Sequence, residues 1–180
     1  MQNPTNKVEL RHQLISARRN MGANAKALAD ARIVQKLSEW LDVHQPASLG
    51  AYIAMSNEPE LISLYEVMSS RNITLTMPVV LEKNQALIYV PWQPGDPLAR
   101  DASGTMAPSQ HEPVLQPAVV LAPCVGFNDQ GFRLGYGGGY FDRTLAQEPR
   151  PTAIGIAYAI TRAQFAAESH DIPLDLIITD

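Results

Sequence analysis

The segment FNDQGFRLGYGGGYFDR, which runs from Phe127 to Arg143, carries the densest pattern in the chain and holds five of its eleven glycines. Glycines cluster where the backbone must adopt positive φ or where another group approaches the main chain closely. Arg133 and Arg143 bracket the glycine-rich part of the segment, and Tyr136 and Tyr140 lie between these two arginines. Main-chain N–H groups beside guanidinium groups suit an anion with several acceptor oxygens, such as a phosphate chain.

Asp142 follows the last glycine by three positions and places a carboxylate beside the expected anion. Because the two negative groups would repel each other, a cation is expected between them, and the segment predicts a Mg-nucleotide loop. It is not a P-loop, since no lysine follows the glycines. It is not a dinucleotide fingerprint either, because the sixth position counted from Gly135 is Tyr140. A flexible hairpin tip remains the alternative.

Length and composition describe an ordinary globular protein. The 180 residues predict a single domain over residues 1–180, and 46% hydrophobic and 18% charged residues are typical of such a domain. A net charge of −4 argues against a general nucleic-acid binder, which would present a basic surface.

The chain shows no signal for a membrane or an oxidising compartment. No apolar run approaches the roughly 18 residues of a membrane span, and residues 1–6 lack the apolar region of a signal peptide. The single cysteine, Cys124, has no intrachain partner and is expected to be a small core residue. We therefore expect a cytoplasmic protein, and a monomer.

The first predicted helix begins at residues 3–6 and ends at Gly22. Its apolar stripe and its basic stripe recur at helical spacing; they consist of Leu10, Leu14, Ala17 and Met21, and of Lys7, Arg11 and Arg18. The basic stripe would either face a bound anion or form a solvated surface, and the pattern alone favours the solvated surface.

The remaining segments alternate between the periodicity of helices and that of strands. Helices are predicted over residues 24–43, 61–68, 140–145 and 161–168, and strands over 48–55, 73–80, 87–92, 117–123, 152–158 and 176–179. Residues 93–116 are expected to be an ordered loop or part of a site rim. This alternation predicts an α/β fold with a mainly parallel sheet flanked by helices.

For three carboxylates the sequence allows two interpretations, a role in the site or a role in local structure. Met55 and Glu60 lie around the carboxyl end of a predicted strand, where α/β sheets bind ligands. Glu60 would either accept N–H groups of a heterocycle or, as a first-turn glutamate, interact with the dipole of the following helix. Asp171 and Asp175 would either add a ligand to the cation or stabilise turns.

The segment from Gly131 to Arg143 resembles the pattern G-x-R-[LM]-G-x-G-x-G-[YF]-[YF]-D of the 5-formyltetrahydrofolate cyclo-ligase family, also called 5,10-methenyltetrahydrofolate synthetases. Shorter matches occur in family order over nearly the whole chain: Lys7 and Arg11, residues 55–60, Glu112-Pro113, His170-Asp171 and Asp175. Phe141 replaces a tyrosine found in many members, and the chain ends soon after its last strand.

The resemblance implies that ATP and Mg²⁺ close 5-formyltetrahydrofolate into 5,10-methenyltetrahydrofolate and release ADP and phosphate. It implies phosphoryl transfer to the formyl oxygen, attack by N10 and loss of phosphate. The implied fold is similar to that of sugar-phosphate isomerases and CoA transferases. The expected partners are these small molecules.

The resemblance also assigns residues. ATP would bind Lys7, Arg11, Arg133, Leu134, Gly135, Tyr136, Gly137, Gly138, Gly139, Tyr140 and Phe141. The folate would contact Met55, Glu60 and residues 136–140, Asp142 and Asp171 would bind the metal, and Arg133 and Tyr140 would be catalytic. An ATP-sensing module without catalysis and a sugar-phosphate isomerase-like enzyme are the rival interpretations.

Overall fold

The structure, a computed structural model, describes residues 6–55, 57–71 and 73–180. The helices are α1 (Lys7–Arg19), α2 (Ala23–His44), α3 (Ile62–Ser69) and α4 (Tyr140–Leu145), with a 3-10 turn at Ala159–Thr161. The strands are β1 (Ser48–Gly50), β2 (Thr74–Val79), β3 (Ile88–Pro91), β4 (Leu98–Arg100), β5 (Met106–Pro108), β6 (Val119–Pro123), β7 (Gly126–Phe127), β8 (Arg133–Leu134), β9 (Thr152–Ile156) and β10 (Leu176–Ile178).

Six of the strands form a central sheet in the order β10-β9-β6-β1-β2-β3. All neighbouring pairs are parallel except β2 and β3, which are antiparallel. The prediction of an α/β fold with a mainly parallel sheet is confirmed. In the described part of the chain, no helix is both long enough and apolar enough to cross a membrane.

Strand β6 shows how the sheet is buried on both faces. Val119 and Leu121 pack into the cluster that contains Ile33 and Leu37 of α2. The alternate residues of β6 face the other side, where they join the clusters beside β3 and α4. Because successive strand residues point to opposite faces, an uninterrupted apolar strand needs cover on both sides, and the helices supply it.

Helix α1 begins one residue after Asn6, whose side chain accepts a hydrogen bond from the N–H of Val8 at 3.0 Å. The rest of the predicted helix start, residues 3–5, lies outside the described residues. The helix ends at Arg19, before the predicted terminator Gly22, which instead occupies the cap position at the start of α2.

The predicted helix over residues 161–168 is wrong. Its backbone pairs with a segment far away in sequence: the N–H of Ala163 donates to the carbonyl of Phe127 at 2.9 Å, and Arg162 bridges to the same strand. Phe165 is buried in the cluster formed by Leu10 and Leu14 of α1. A short apolar pattern cannot reveal such a tertiary partner, so the helical periodicity was misleading here.

Two short hairpins were not predicted as strands. Strands β4 and β5 form one inside the segment 93–116, and β7 and β8 form the other directly before the glycines. The strand predicted over residues 48–55 is shorter than expected, because the chain leaves the sheet after Gly50. The N–H of Tyr52 then bonds to the hydroxyl of Tyr65 on α3 at 3.2 Å.

The buried position of β6 predicts a measurable stability loss. Leu121 is fully buried, so Leu121→Ala should lower the free energy of unfolding by about 2–5 kcal/mol through lost burial and a residual cavity. Leu28 is 63% exposed on α2, and Leu28→Ala should change this free energy by about 0.5 kcal/mol or less. Urea unfolding measures both values, and equal effects of the two changes would contradict the packing described.

Candidate active site

A cavity of about 560 Å³ opens at the carboxyl ends of β1, β2 and β6. From β1 the chain continues to β2 on one side, and from β6 it continues to β9 on the other. Such a switch point between neighbouring parallel strands leaves a crevice in which α/β proteins bind ligands. The loop after β1 and the glycine segment after β6 therefore meet in one cavity.

The cavity gathers nearly all of the residues predicted for the site. Its lining includes Lys7, Arg11, Met55, every residue from Arg133 to Asp142, and Asp171. Glu60 and Asp175 are not among the lining residues, whereas Glu58 is.

The glycine loop, residues 135–139, adopts a conformation that explains its composition. Gly137 has φ +98° and Gly139 has φ +65°, which side chains disfavour. None of the main-chain N–H groups of the loop donates a hydrogen bond within residues 6–55, 57–71 and 73–180. The prediction that these glycines meet a backbone requirement is confirmed, and the loop presents free donors beside the cavity.

Helix α1 lies against this loop. The Nε of Arg11 donates to the carbonyl of Gly135 at 2.7 Å, and a Cβ placed on Gly137 would lie 3.7 Å from the Arg11 guanidinium carbon. Lys7 and Arg11 thus face the cavity rather than open solvent, and the basic stripe is not a simple solvated surface.

Lys7 is already paired with carboxylates. Its Nζ lies 2.8 Å from Asp171 and 2.9 Å from Glu168. Partial burial alone would lower the pKa of Lys7, but these two hydrogen bonds raise it above its ordinary value. Burial acts to raise the pKa of Asp171, whereas its bonds from the Glu168 N–H and from Lys7 bring it below the ordinary value. Both groups are therefore charged at neutral pH.

Arg133 forms the floor of the site together with Asp142. Its guanidinium donates to the Asp142 carboxylate at 2.6 Å and lies 5.1 Å from the ring of Phe141. The side chain is buried, and its Nε has no hydrogen-bond partner among the described residues. An unpaired buried donor is unfavourable, and it marks a position where a bound acceptor would stabilise the site.

Glu58 contributes a buried carboxylate to the cavity. The backbone turns at Asn57, which has φ +59°, and Glu58 folds back so that its Oε2 accepts the N–H of Met55 at 2.8 Å. Its Oε1 accepts the hydroxyl of Tyr136 at 2.7 Å. Burial raises the pKa of Glu58, while the bonds from Met55 and Tyr136 oppose the shift.

Glu60 has a different place from the one that the sequence predicted. Its side chain is exposed and accepts the N–H of Ile62 at 3.1 Å, at the start of α3. Glu60 therefore serves the start of the helix, as the second alternative expected, but through a hydrogen bond from a position before the first turn. Asp175 likewise serves the fold: it pairs with Arg150 at 2.8 Å and accepts the N–H of Ala153 at 2.7 Å.

The carboxylates of the cavity fit a metal only together with a ligand. The described residues contain no group of three or more His, Cys, Asp or Glu side chains that would hold a metal ion. Asp142 and Asp171 both line the cavity and are paired with Arg133 and Lys7. Mg²⁺ is commonly held by one or two carboxylates plus substrate phosphates and water, and this donor set is compatible with that arrangement.

Comparison with known proteins decides the family. The family model described as the 5-formyltetrahydrofolate cyclo-ligase family matches residues 3–180. The chain belongs to the 5-formyltetrahydrofolate cyclo-ligase family. It is 31% identical to the 5-formyltetrahydrofolate cyclo-ligase of Mycoplasma pneumoniae over 95% of this chain and 96% of that protein.

Solved structures agree with this assignment. A 5,10-methenyltetrahydrofolate synthetase from Mycoplasma pneumoniae superposes with a TM-score of 0.81 at 27% identity, covering 98% of this chain and 99% of the other. The 5,10-methenyltetrahydrofolate synthetase of Aquifex aeolicus shares the fold, with a TM-score of 0.79 at 23% identity over 96% and 88% of the two chains. The resemblance identified from the glycine loop is confirmed, and the protein is a member of a ligase family.

Within this cyclo-ligase site, the sequence analysis named no individual residue of the rim. Lys83 and the β4–β5 hairpin residues Asp101, Ser103, Thr105 and Met106 line the cavity. The segment 93–116 therefore contributes to the site, as one of its two alternatives predicted. Cys124 is buried, and burial raises the pKa of its thiol to about 12, which agrees with a core residue rather than a nucleophile.

The raised pKa of Glu58 predicts a pH-dependent stability. Between the ordinary value of 4.5 and the higher folded value, the folded protein binds more protons than the unfolded chain, so stability falls as pH rises through this window. Glu58→Gln removes the effect. The free energy of unfolding of the variant relative to the parent protein should rise with pH above 4.5, by at most about 1.4 kcal/mol per pH unit. Urea titrations across this range measure it, and a constant difference would contradict the assignment.

Proposed function

We propose that this protein uses ATP and Mg²⁺ to cyclise 5-formyltetrahydrofolate to 5,10-methenyltetrahydrofolate, releasing ADP and phosphate. The observation that carries the proposal is a single cavity with two chemically different ends. One end combines the free N–H groups of the glycine loop with Lys7 and Arg11. The other end presents the buried Glu58 carboxylate beside Met55.

The first end suits the phosphates of ATP. Arg11 already bonds to the glycine loop through Nε, which leaves its Nη groups to donate to phosphate oxygens. Lys7 supplies a second cation from the same helix, and the main-chain N–H groups of residues 135–139 act as an anion-binding concavity. Leu134 and Phe141 line the cavity at the two ends of this loop.

Asp142 and Asp171 are the proposed protein ligands of Mg²⁺. Bound Mg²⁺ would supply neutralisation of the charge that develops during phosphoryl transfer. The carboxylates now paired with Arg133 and Lys7 would then be shared between a side-chain cation and the metal. A carboxylate binds a metal in its deprotonated form.

The second end suits the pterin ring of the folate. We assign to Glu58 the role that the family resemblance implied for Glu60, because the Glu58 carboxylate lies in the cavity and accepts hydrogen bonds. A pterin carries N–H groups along one edge, and a fixed carboxylate is their complementary acceptor. Met55, Tyr136 and Tyr140 line the same cavity, and together with the backbone of residues 137–139 they are the proposed contacts of the folate.

The reaction has two stages, phosphoryl transfer and ring closure with loss of phosphate. The formyl oxygen attacks the γ-phosphorus of ATP, a P–O bond forms, and the bond to the ADP oxygen breaks. N10 then attacks the formyl carbon, the carbon–oxygen bond to phosphate breaks, phosphate leaves with the former formyl oxygen, and N10 loses its proton. Phosphoryl transfer depends on positioning and charge stabilisation rather than on a protein nucleophile.

Arg133 and Tyr140 are the proposed catalytic residues for these steps. Arg133 is a buried cation with an unpaired Nε at the floor of the cavity, where it would stabilise negative charge on the transferred phosphoryl group. Tyr140 begins α4 directly after the glycine loop, and Arg143 lies 5.2 Å from its ring. A change to either residue is expected to affect turnover more than ATP affinity.

The direct test supplies purified protein with ATP, Mg²⁺ and 5-formyltetrahydrofolate, and follows both methenyl product and ADP. We expect one ADP per product and no product when ATP or Mg²⁺ is omitted. ADP release that does not depend on the folate would instead support an ATP-sensing module. Isomerisation of a sugar phosphate without ATP would support the isomerase alternative.

Arg11 provides the sharpest test of the phosphate end. Arg11→Met should raise the dissociation constant of ATP by about tenfold or more, because one charge-assisted hydrogen bond contributes about 1.5–3 kcal/mol. Arg19→Met is the matched control, since Arg19 is exposed on the same helix and does not line the cavity. Calorimetric titration measures both constants, and equal shifts in the two variants would contradict the assignment of Arg11.

A further inference from the structure

Arg18 is the third cation of the basic stripe, and the proposed function does not use it. The residue is only 1% exposed, which makes it one of the largest fully buried side chains of the described structure. None of the ion pairs among the described residues includes it. Burying a guanidinium without a directly paired carboxylate is unfavourable, so its position calls for an explanation beyond stability.

The contacts of Arg18 lead into the cavity. Its Nη2 donates to the hydroxyl of Tyr136 at 2.7 Å, and its Nη1 reaches the carbonyl of Cys124 at 3.4 Å. The guanidinium carbon also lies 5.8 Å from the centre of the Tyr136 ring. Tyr136 itself belongs to the glycine loop and is 42% exposed, and its hydroxyl bonds to both Arg18 and Glu58.

The direction of the hydrogen bonds is determined by chemistry. An arginine can only donate, so the oxygen of the Tyr136 hydroxyl is the acceptor in its bond with Arg18. The hydroxyl proton is therefore free to be donated to the other neighbour, Oε1 of Glu58, at 2.7 Å. The second carboxylate oxygen accepts the Met55 N–H at 2.8 Å. Each oxygen of Glu58 thus has one fixed donor.

We propose that Arg18 is a positioning residue for folate binding: it orients the Tyr136 hydroxyl and, through it, the Glu58 carboxylate. This inference rests on the proposed function, in which Glu58 contacts the pterin ring. Arg18 does not touch the substrate. Its effect is to hold the acceptor atoms of Glu58 in one orientation, so that binding the pterin does not require the carboxylate to be ordered first.

The placement of Arg18 on α1 gives the network a second consequence. Lys7, Arg11 and Arg18 share one face of this helix, with the first two at the phosphate end and the third behind the folate end. One helix face thereby supports both ends of the cavity. A purely structural role for Arg18, through the carbonyl of Cys124, would involve neither Tyr136 nor Glu58.

A double-mutant cycle separates these two roles. It combines Arg18→Met, which removes the guanidinium at similar length, with Tyr136→Phe, which removes only the hydroxyl. We expect each single change to raise the dissociation constant of 5-formyltetrahydrofolate by about tenfold, the effect of losing one charge-assisted hydrogen bond. The double variant should bind 5-formyltetrahydrofolate no more weakly than whichever single variant has the larger dissociation constant, because both changes break the same chain of hydrogen bonds.

Independent effects would overturn the proposal: the double variant would then bind about a hundredfold more weakly, the product of two tenfold losses. An equal loss of ATP affinity in Arg18→Met would also overturn it, since that result indicates general disruption of α1. If Arg18→Met does not yield folded protein, Arg18→Lys takes its place in the same cycle with the same required non-additivity.

The outcome for the unmodified protein distinguishes this inference from the proposed function. A parent protein that fails to convert 5-formyltetrahydrofolate with ATP contradicts the proposed function. A parent protein that converts it, with additive losses in the cycle, contradicts only the role of Arg18.

Discussion

The contact between α1 and the glycine loop is the interaction on which the site depends. Lys7, Arg11 and Arg18 reach Asp171, the carbonyl of Gly135 and the Tyr136 hydroxyl, each more than a hundred positions away in the sequence. Because i, i+4 and i+11 positions share one helix face, a single docked helix delivers two cations to the cavity and a third behind it. Without this contact the loop would have free N–H donors but no cationic side chains opposite them.

Charge compensation decides how the cavity would receive an anion. Lys7 has two carboxylate partners and Arg133 has one, whereas none of the ion pairs among residues 6–55, 57–71 and 73–180 includes Arg11. An incoming phosphate would therefore meet Arg11 without displacing another anion. The phosphate would compete with Asp171 and Glu168 for the ammonium group of Lys7. A metal ion bound to both Asp171 and the phosphate would weaken this competition.

Local backbone requirements were predictable from the sequence, and tertiary choices were not. The positive φ angles of Gly137 and Gly139 are ones that glycine readily adopts, and the resemblance of this loop predicted the family and the fold. The sequence left open whether Glu60 meets a ligand or the following helix, and residue spacing gives no signal for the turn that buries Glu58 and exposes Glu60. The segment 161–168 likewise pairs with Phe127, which helical periodicity cannot reveal.

A crystal structure with a non-hydrolysable ATP analogue, Mg²⁺ and 5-formyltetrahydrofolate tests the central claim most directly. We expect the triphosphate to lie between the N–H groups of residues 135–139 and the side chains of Lys7 and Arg11, with the pterin ring at Glu58. Phosphates bound elsewhere, with the glycine loop empty and α1 contacting no ligand, would contradict this account.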